Sequence, residues 1–183
     1  MSTFDKIADV AKYQAGYVAT YQVDVSRQMF SHHESIGRLE RVIAGIYRLN
    51  SFPISEDEDH ITAYLWSREK GVISHQTALS LHELSDVLPK TTEITLPKDE
   101  ALPPQEPPGW VRVHRGTIPD GERQWYHNVP ITTPGRTLID LAMAGLHPDL
   151  LRQALNEARA RRLVAEDFEW RIIHELITGR GKG

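Results

Sequence analysis

Polar and apolar positions at the start of the chain repeat with a helical period. Phe4, Ile7, Ala8, Ala11 and Ala15 share one face and predict an amphipathic helix over residues 2–15. Ser2 with Asp5 three residues on has the form of a capping box, and Gly16 supplies the stop. Tyr17 and Val18 read as a short extended link, after which Thr20 can cap a brief second helix over residues 21–24. Ser26 is the next N-cap. It opens a helix whose inward side would be Val25, Met29 and Ile36, with Arg27, Gln28, Ser31 and Ser35 on the opposite face and His32 at its edge. Gly37 ends this helix, and two β-prone runs follow, residues 39–43 and 46–49, separated by Ala44-Gly45. A short helix followed by a basic hairpin is the sequence form of a winged helix-turn-helix.

The remaining pattern predicts a mixed unit of helices and strands. Pro53 and the acidic run 56–59 mark a linker or the start of a helix, and residues 60–69 carry Ile61, Ala63, Leu65 and Trp66 on a wide apolar face. Val72 and Ile73 are extended, Ser74 caps a helix, and Ala78, Leu81 and Leu84 form its inward stripe. Residues 92–96 alternate as a strand, whereas 98–109 hold four of the eleven prolines and predict a loop. Residues 110–115 and 123–129 predict strands joined by a turn at Pro119-Asp120-Gly121, with Ile131 and Thr132 extending the sheet. Thr133 caps and Pro134 opens a helix that packs Leu138, Ile139, Leu141 and Ala142. Further helices are predicted over 148–161 and 166–176, followed by a disordered tail at 179–183. The expected fold class is α+β: an N-terminal winged helix-turn-helix over 1–52, then a mixed α/β domain over 53–178 with a small antiparallel sheet.

Charge sharpens this division. The net charge of −4 argues against a nucleic-acid binder until it is apportioned along the chain. Residues 1–50 hold six Lys/Arg against five Asp/Glu, residues 51–150 eight against fifteen, and residues 151–183 seven against five, so the acidity lies in the middle. Within 25–49 four arginines face two glutamates. Ser26 and the helix start favour a phosphate oxygen, Arg27 and Gln28 suit bidentate base contacts, and Ser31, His32 and Ser35 are adaptable readers. Arg38, Arg41 and Arg48 flank the wing and would meet phosphates. There are no cysteines, which excludes disulfides and thiolate metal sites, and no apolar run reaches the ~20 residues of a membrane span, so a cytoplasmic location is expected.

Metal and catalytic chemistry find little support in the spacing. Asp57 and Asp59 belong with a helix N-terminus, and His75 and His82, seven apart, lack a third ligand. Ser74-His75 invites a nucleophile–base reading, but neighbouring residues on a helix point different ways. Asp86, Asp140 and Glu157 are isolated acids without a shared motif, so neither an enzyme activity nor a cofactor is expected.

Four segments then carry a resemblance: VSRQMFSHHESIGRLERVIAGIYRL, VISHQTALSLHELSDVLPKTTEITLP, the strand VRVHR, and ITTPGRTLIDLA followed by a basic helix. In this order they span most of residues 16–163, and they resemble the AbiEi family of antitoxins from bacterial abortive-infection toxin–antitoxin systems. The resemblance implies a winged helix that binds operator DNA and represses its own operon. It also implies a C-terminal domain that counteracts a nucleotidyltransferase-type toxin without a stable complex. By this match Arg27, Gln28, Arg38, Arg41 and Arg48 would occupy the DNA-contacting helix and wing. A stand-alone winged-helix regulator, or a protein-interaction module of the same build, would carry the same pattern.

Overall fold

The structure is a computed structural model that describes residues 2–86, 88–169 and 172. Its N-terminal part comprises α1 (Thr3–Ala11), β1 (Tyr17–Ala19), α2 (Arg27–Ser35), β2 (Leu39–Ile43) and β3 (Ile46–Leu49). The capping box forms as expected, with the Asp5 amide donating to Ser2 Oγ at 3.1 Å and the Ser2 amide donating to Asp5 Oδ2 at 2.7 Å. The brief helix expected over 21–24 is instead a single 3-10 turn, Thr20–Gln22. Gln22 Oε1 accepts from the Ala19 amide at 2.9 Å, and the backbone returns to an extended conformation at Val23. The extended link at Tyr17 proves to be a strand. β1 pairs antiparallel with β3, giving an antiparallel sheet of order β1-β3-β2.

Both faces of this sheet are covered, and that decides the fate of its polar residues. Val18, Tyr47 and Leu49 pack with Ile7, Ala11 and Phe30 beneath α1 and α2, while Tyr17, Ala19 and Ile46 turn the other way into the core around the next helix. Arg48 alternates onto that second face and is 6% exposed. Its guanidinium pairs with Glu40, its register partner on β2, lies 4.0 Å from Glu58, and donates to the Phe52 carbonyl at 2.5 Å. The expectation that Arg48 meets a phosphate is therefore overturned: the residue is an internal tie.

The inward face of α2 also differs from the expected one. Phe30 and His33 are its buried residues, Val25 and Met29 are half-buried, and Ile36 is 50% exposed. Ile36 is the C-cap, where the chain leaves the helical path before Gly37. Gly37 has a φ of +73°, a left-handed turn that only glycine makes without steric cost.

The rest of the described chain holds α3 (Glu58–Trp66), β4 (Val72–Ile73), α4 (His75–Leu81), β5 (Thr92–Leu96), β6 (Val111–Arg115), β7 (Arg123–Tyr126), β8 (Val129–Thr132), α5 (Pro134–Met143) and α6 (Pro148–Ala160). Thr133 caps α5 and Pro134 opens it, as its sequence requires. The sheet is not antiparallel. Its order is β6-β5-β4-β8-β7, with β5–β6 and β4–β8 parallel and β4–β5 and β7–β8 antiparallel. β6 and β7, expected to neighbour each other across the turn at Pro119, lie on opposite edges, and β7 pairs instead with the strand that follows it. Ile94, Leu96, Val111 and Val113 pack toward α3, while α4, α5 and α6 form a second apolar cluster around Leu79, Leu138 and Leu155.

The apolar core runs without a break from Tyr17 and Ile46 to Ile61, Leu65, Ile94 and Ile131, on both sides of the expected boundary at residues 52 and 53. No helix among the described residues is long and apolar enough to cross a membrane. Most of the helix expected at 166–176, and the tail at 179–183, lie outside the described residues. Replacing Arg48 strips the half-buried Phe52 carbonyl of its donor and removes the positive charge beside Glu58. Arg48→Ala is expected to lower unfolding free energy by about 1–3 kcal/mol, read from urea denaturation; a change within about 0.5 kcal/mol would contradict the internal role.

Candidate nucleic-acid interface

α2 presents its polar side chains as one band. Arg27, Gln28, Ser31, His32 and Ser35 are all exposed, and their spacing places them along one side of the helix, away from Phe30 and His33. Ser26 caps the helix, its Oγ accepting from the Met29 amide at 3.4 Å, and Ser35 Oγ donates to the His32 carbonyl at 2.8 Å. Arg27, Gln28 and Ser31 make no side-chain hydrogen bond or ion pair with another described residue. Their polar groups are therefore available to a ligand.

The hairpin β2–β3 stands against this helix. Thr20, Arg27, Ser31, Arg41, Gly45 and Tyr47 line an open groove of about 220 Å³, so one arginine from the helix and one from the hairpin share a wall. The tip does not project freely: the Thr20 amide donates to the Gly45 carbonyl at 2.8 Å, and Gly45 takes a φ of +82° to close the turn. Arg41 donates to Glu34 Oε2 at 2.8 Å and lies over the Tyr47 ring, while Arg38 lies over the Phe4 ring and forms no ion pair with a described residue. The Arg41–Glu34 pair is solvent-exposed. Such pairs contribute about 0–1 kcal/mol, so a phosphate could displace the glutamate at small cost. Of the nine residues expected to touch DNA, the structure leaves eight at the surface and withdraws Arg48.

His33 holds this band in place from behind. It is 4% exposed, its ring lies 5.1 Å from that of Phe4, and its Nε2 is 3.4 Å from Thr3 Oγ1. Its Nδ1 is buried with no hydrogen-bond partner. Burial, and after it the neighbouring His32 and Arg38, lower its pKa below the ordinary 6.5.

A second polar constellation lies on the α4–α5 side of the larger sheet. Glu93 and Thr95 alternate onto that face of β5 while Ile94 and Leu96 fill the core, and the parallel register sets His114 beside Thr95. Glu93 Oε2 and His114 Nε2 are 2.5 Å apart, and the His75 and His114 rings stack at 3.6 Å with an interplanar angle of 10°. His75 Nδ1 is 2.9 Å from Ser74 Oγ, which in turn is 2.7 Å from Thr95 Oγ1. The sequence argument that Ser74 and His75 must diverge fails here for a physical reason. His75 adopts a φ of +52°, off the helical path, and its ring folds back onto Ser74. Ser74 is nonetheless fully buried and already hydrogen-bonded, so it is not an accessible nucleophile. Burial, and then His114, push the His75 pKa down to about 4, so its imidazole is neutral at neutral pH. His82 stands apart, its Nε2 donating to the Thr132 carbonyl at 2.7 Å. The alternation of TEITL and VRVHR is the one sequence signal for this cluster, since polar residues recur at every second place in strands whose other face is apolar.

The isolated acids do not converge on a catalytic centre. Asp140 pairs with Arg136 at 2.7 Å, while Asp86 and Glu157 line a separate open groove. No family model matches the chain, and no curated protein matches its sequence.

Below pH 6.5 the unfolded chain gains a proton on His33 that the folded chain resists. The unfolded state then binds more protons, and stability falls as the pH drops. His33→Met removes this dependence. The variant's stability relative to the parent is expected to rise as urea titrations move from about pH 7.5 to about pH 5; a constant difference would show that His33 titrates normally.

Proposed function

We propose that the protein is a sequence-specific DNA-binding regulator that uses α2 as the recognition helix of a winged helix and β2–β3 as its wing. The observation that carries this reading is the exposed band of Arg27, Gln28, Ser31, His32 and Ser35, which has few competing contacts and shares a groove with Arg41. A helix of this width fits the major groove. There Arg27 pairs with guanine, Gln28 with adenine, and the serines and His32 adapt to either. The capped helix start at Ser26, with Arg38 and Arg41 to one side, meets backbone phosphates. Arg48 takes no part. The wing is short and pinned at Gly45, so phosphate contacts come from its root at Arg38 and Arg41.

The AbiEi resemblance extends the proposal to an autorepressor of a toxin–antitoxin operon that counteracts a nucleotidyltransferase-type toxin encoded nearby. The operator is then DNA upstream of its own gene. Antitoxin action belongs to the part built on β4–β8 and α3–α6, and it is read from growth rescue when the neighbouring toxin is co-expressed.

Fluorescence anisotropy of the full chain against the upstream DNA and a scrambled control is the direct test. With Arg27, Arg38 and Arg41 on phosphates or bases, affinity is expected to fall by about 2–3 log units per log unit of salt. Arg27→Ala is expected to cost about 1–3 kcal/mol of discrimination at one base pair, and Arg38→Ala to weaken all sequences alike. Equal binding to upstream and scrambled DNA at low salt would sink the regulator reading.

A further inference from the structure

The cluster on the larger sheet has the composition of a metal centre. We propose that His75, Glu93 and His114 bind one divalent first-row transition-metal ion of the zinc type, leaving a coordination position open to the adjoining cleft. One ligand atom from each residue can be chosen so that all lie within 4.8 Å of one another. An ion with bonds of about 2.0–2.2 Å bridges donors roughly 3–4 Å apart, so uptake requires the stacked His75 and His114 rings to turn and the Glu93–His114 hydrogen bond to open. Two imidazoles and one carboxylate select zinc and its neighbours over magnesium and calcium, which prefer oxygen alone.

Three further features fit a ligand set better than a simple core triad. His75 Nδ1 lies 2.9 Å from Ser74 Oγ, which is itself 2.7 Å from Thr95 Oγ1. With His75 Nδ1 as the donor in this chain, the Nε2 lone pair is left for an ion, the outer-shell arrangement typical of metal-binding histidines. His75 also keeps a left-handed backbone although it is not glycine, and strain of that kind persists where surrounding contacts dictate the position of a side chain. Finally, the site is not sealed. His75, Glu93 and His114 line a cleft of about 560 Å³ together with Gln76, Arg112 and His147. Three protein ligands and an open side are the pattern of a site that holds water or an anionic group, whereas structural zinc sites close with four. Arg112, beside Glu93 in the β5–β6 register, supplies the positive charge such an anion would meet. The inference stands apart from the DNA-binding proposal and shares no residue with it.

The test uses the full chain, stripped with a chelator and titrated with Zn²⁺ by calorimetry and with Co²⁺ by visible absorption. One ion per chain is expected, with His114→Gln and Glu93→Gln each weakening binding at least about tenfold. Absence of stoichiometric uptake by the parent protein overturns the site, as does undiminished uptake by both variants. Imidazole nitrogen spectra of the unmutated protein provide a readout independent of variant folding. Zn²⁺ is expected to shift the His75 and His114 resonances; movement confined to other histidines assigns the ion elsewhere and overturns the proposal.

Discussion

An arginine buried between a sheet and a helix must have its charge and hydrogen bonds answered, and Arg48 sets the join on which the N-terminal half depends. Its partners come from three separate places: Glu40 on the neighbouring strand, the Phe52 carbonyl in the chain that leaves the sheet, and Glu58 at the start of α3. Tyr17 adds to the same knot by donating to Glu58 at 2.7 Å, and burial together with that bond pushes its pKa up to about 12. The carboxylate of Glu58 is also well placed at a helix N-terminus, where the backbone dipole favours negative charge. Polar contacts here do what apolar packing cannot, which is to fix direction. They tie the start of α3 to this face of the sheet, and α3 packs in turn against β4, β5 and β8 of the larger sheet.

Local chemistry was the legible part of this fold. Ser2, Ser26 and Thr133 cap their helices because each carries a side-chain oxygen two or three residues before a free amide, a relation written entirely within a few positions. The strand at 92–96 was equally plain. Pairing was not. β6 and β7 flank one turn in sequence yet lie at opposite edges, because the central places go to β4, β5 and β8, whose residues are buried almost throughout. Alternation alone does not tell which strands will take them.

The same limit applied at the candidate sites. Which face of α2 is exposed could be read from its polar residues, and that band is exposed. The residues behind it differ from the expected set, because Ile36 is the more apolar side chain in the sequence whereas the fold sets His33 against Phe4 and Thr3. Arg48 looked like a surface cation because nothing within the hairpin reveals that α3 will cover its second face. Glu93 and His114 are twenty-one residues apart and meet only through parallel register, while His75 joins them through a backbone angle that a helical pattern cannot express.

The unbroken core from Tyr17 and Ile46 to Ile131 packs residues of the N-terminal sheet, α3 and the larger sheet against one another. A fragment cut near residue 52 would present the apolar underside of its sheet to water, so the N-terminal part is a poor candidate for transplantation. Linkage follows from the same continuity. Where two regions share one folding equilibrium, a ligand held at either end withdraws molecules from the unfolded pool and so protects the other end. Occupancy of the helix band and of the histidine cluster would each lengthen the survival of the whole chain against proteolysis, with no change of shape needed to carry the message.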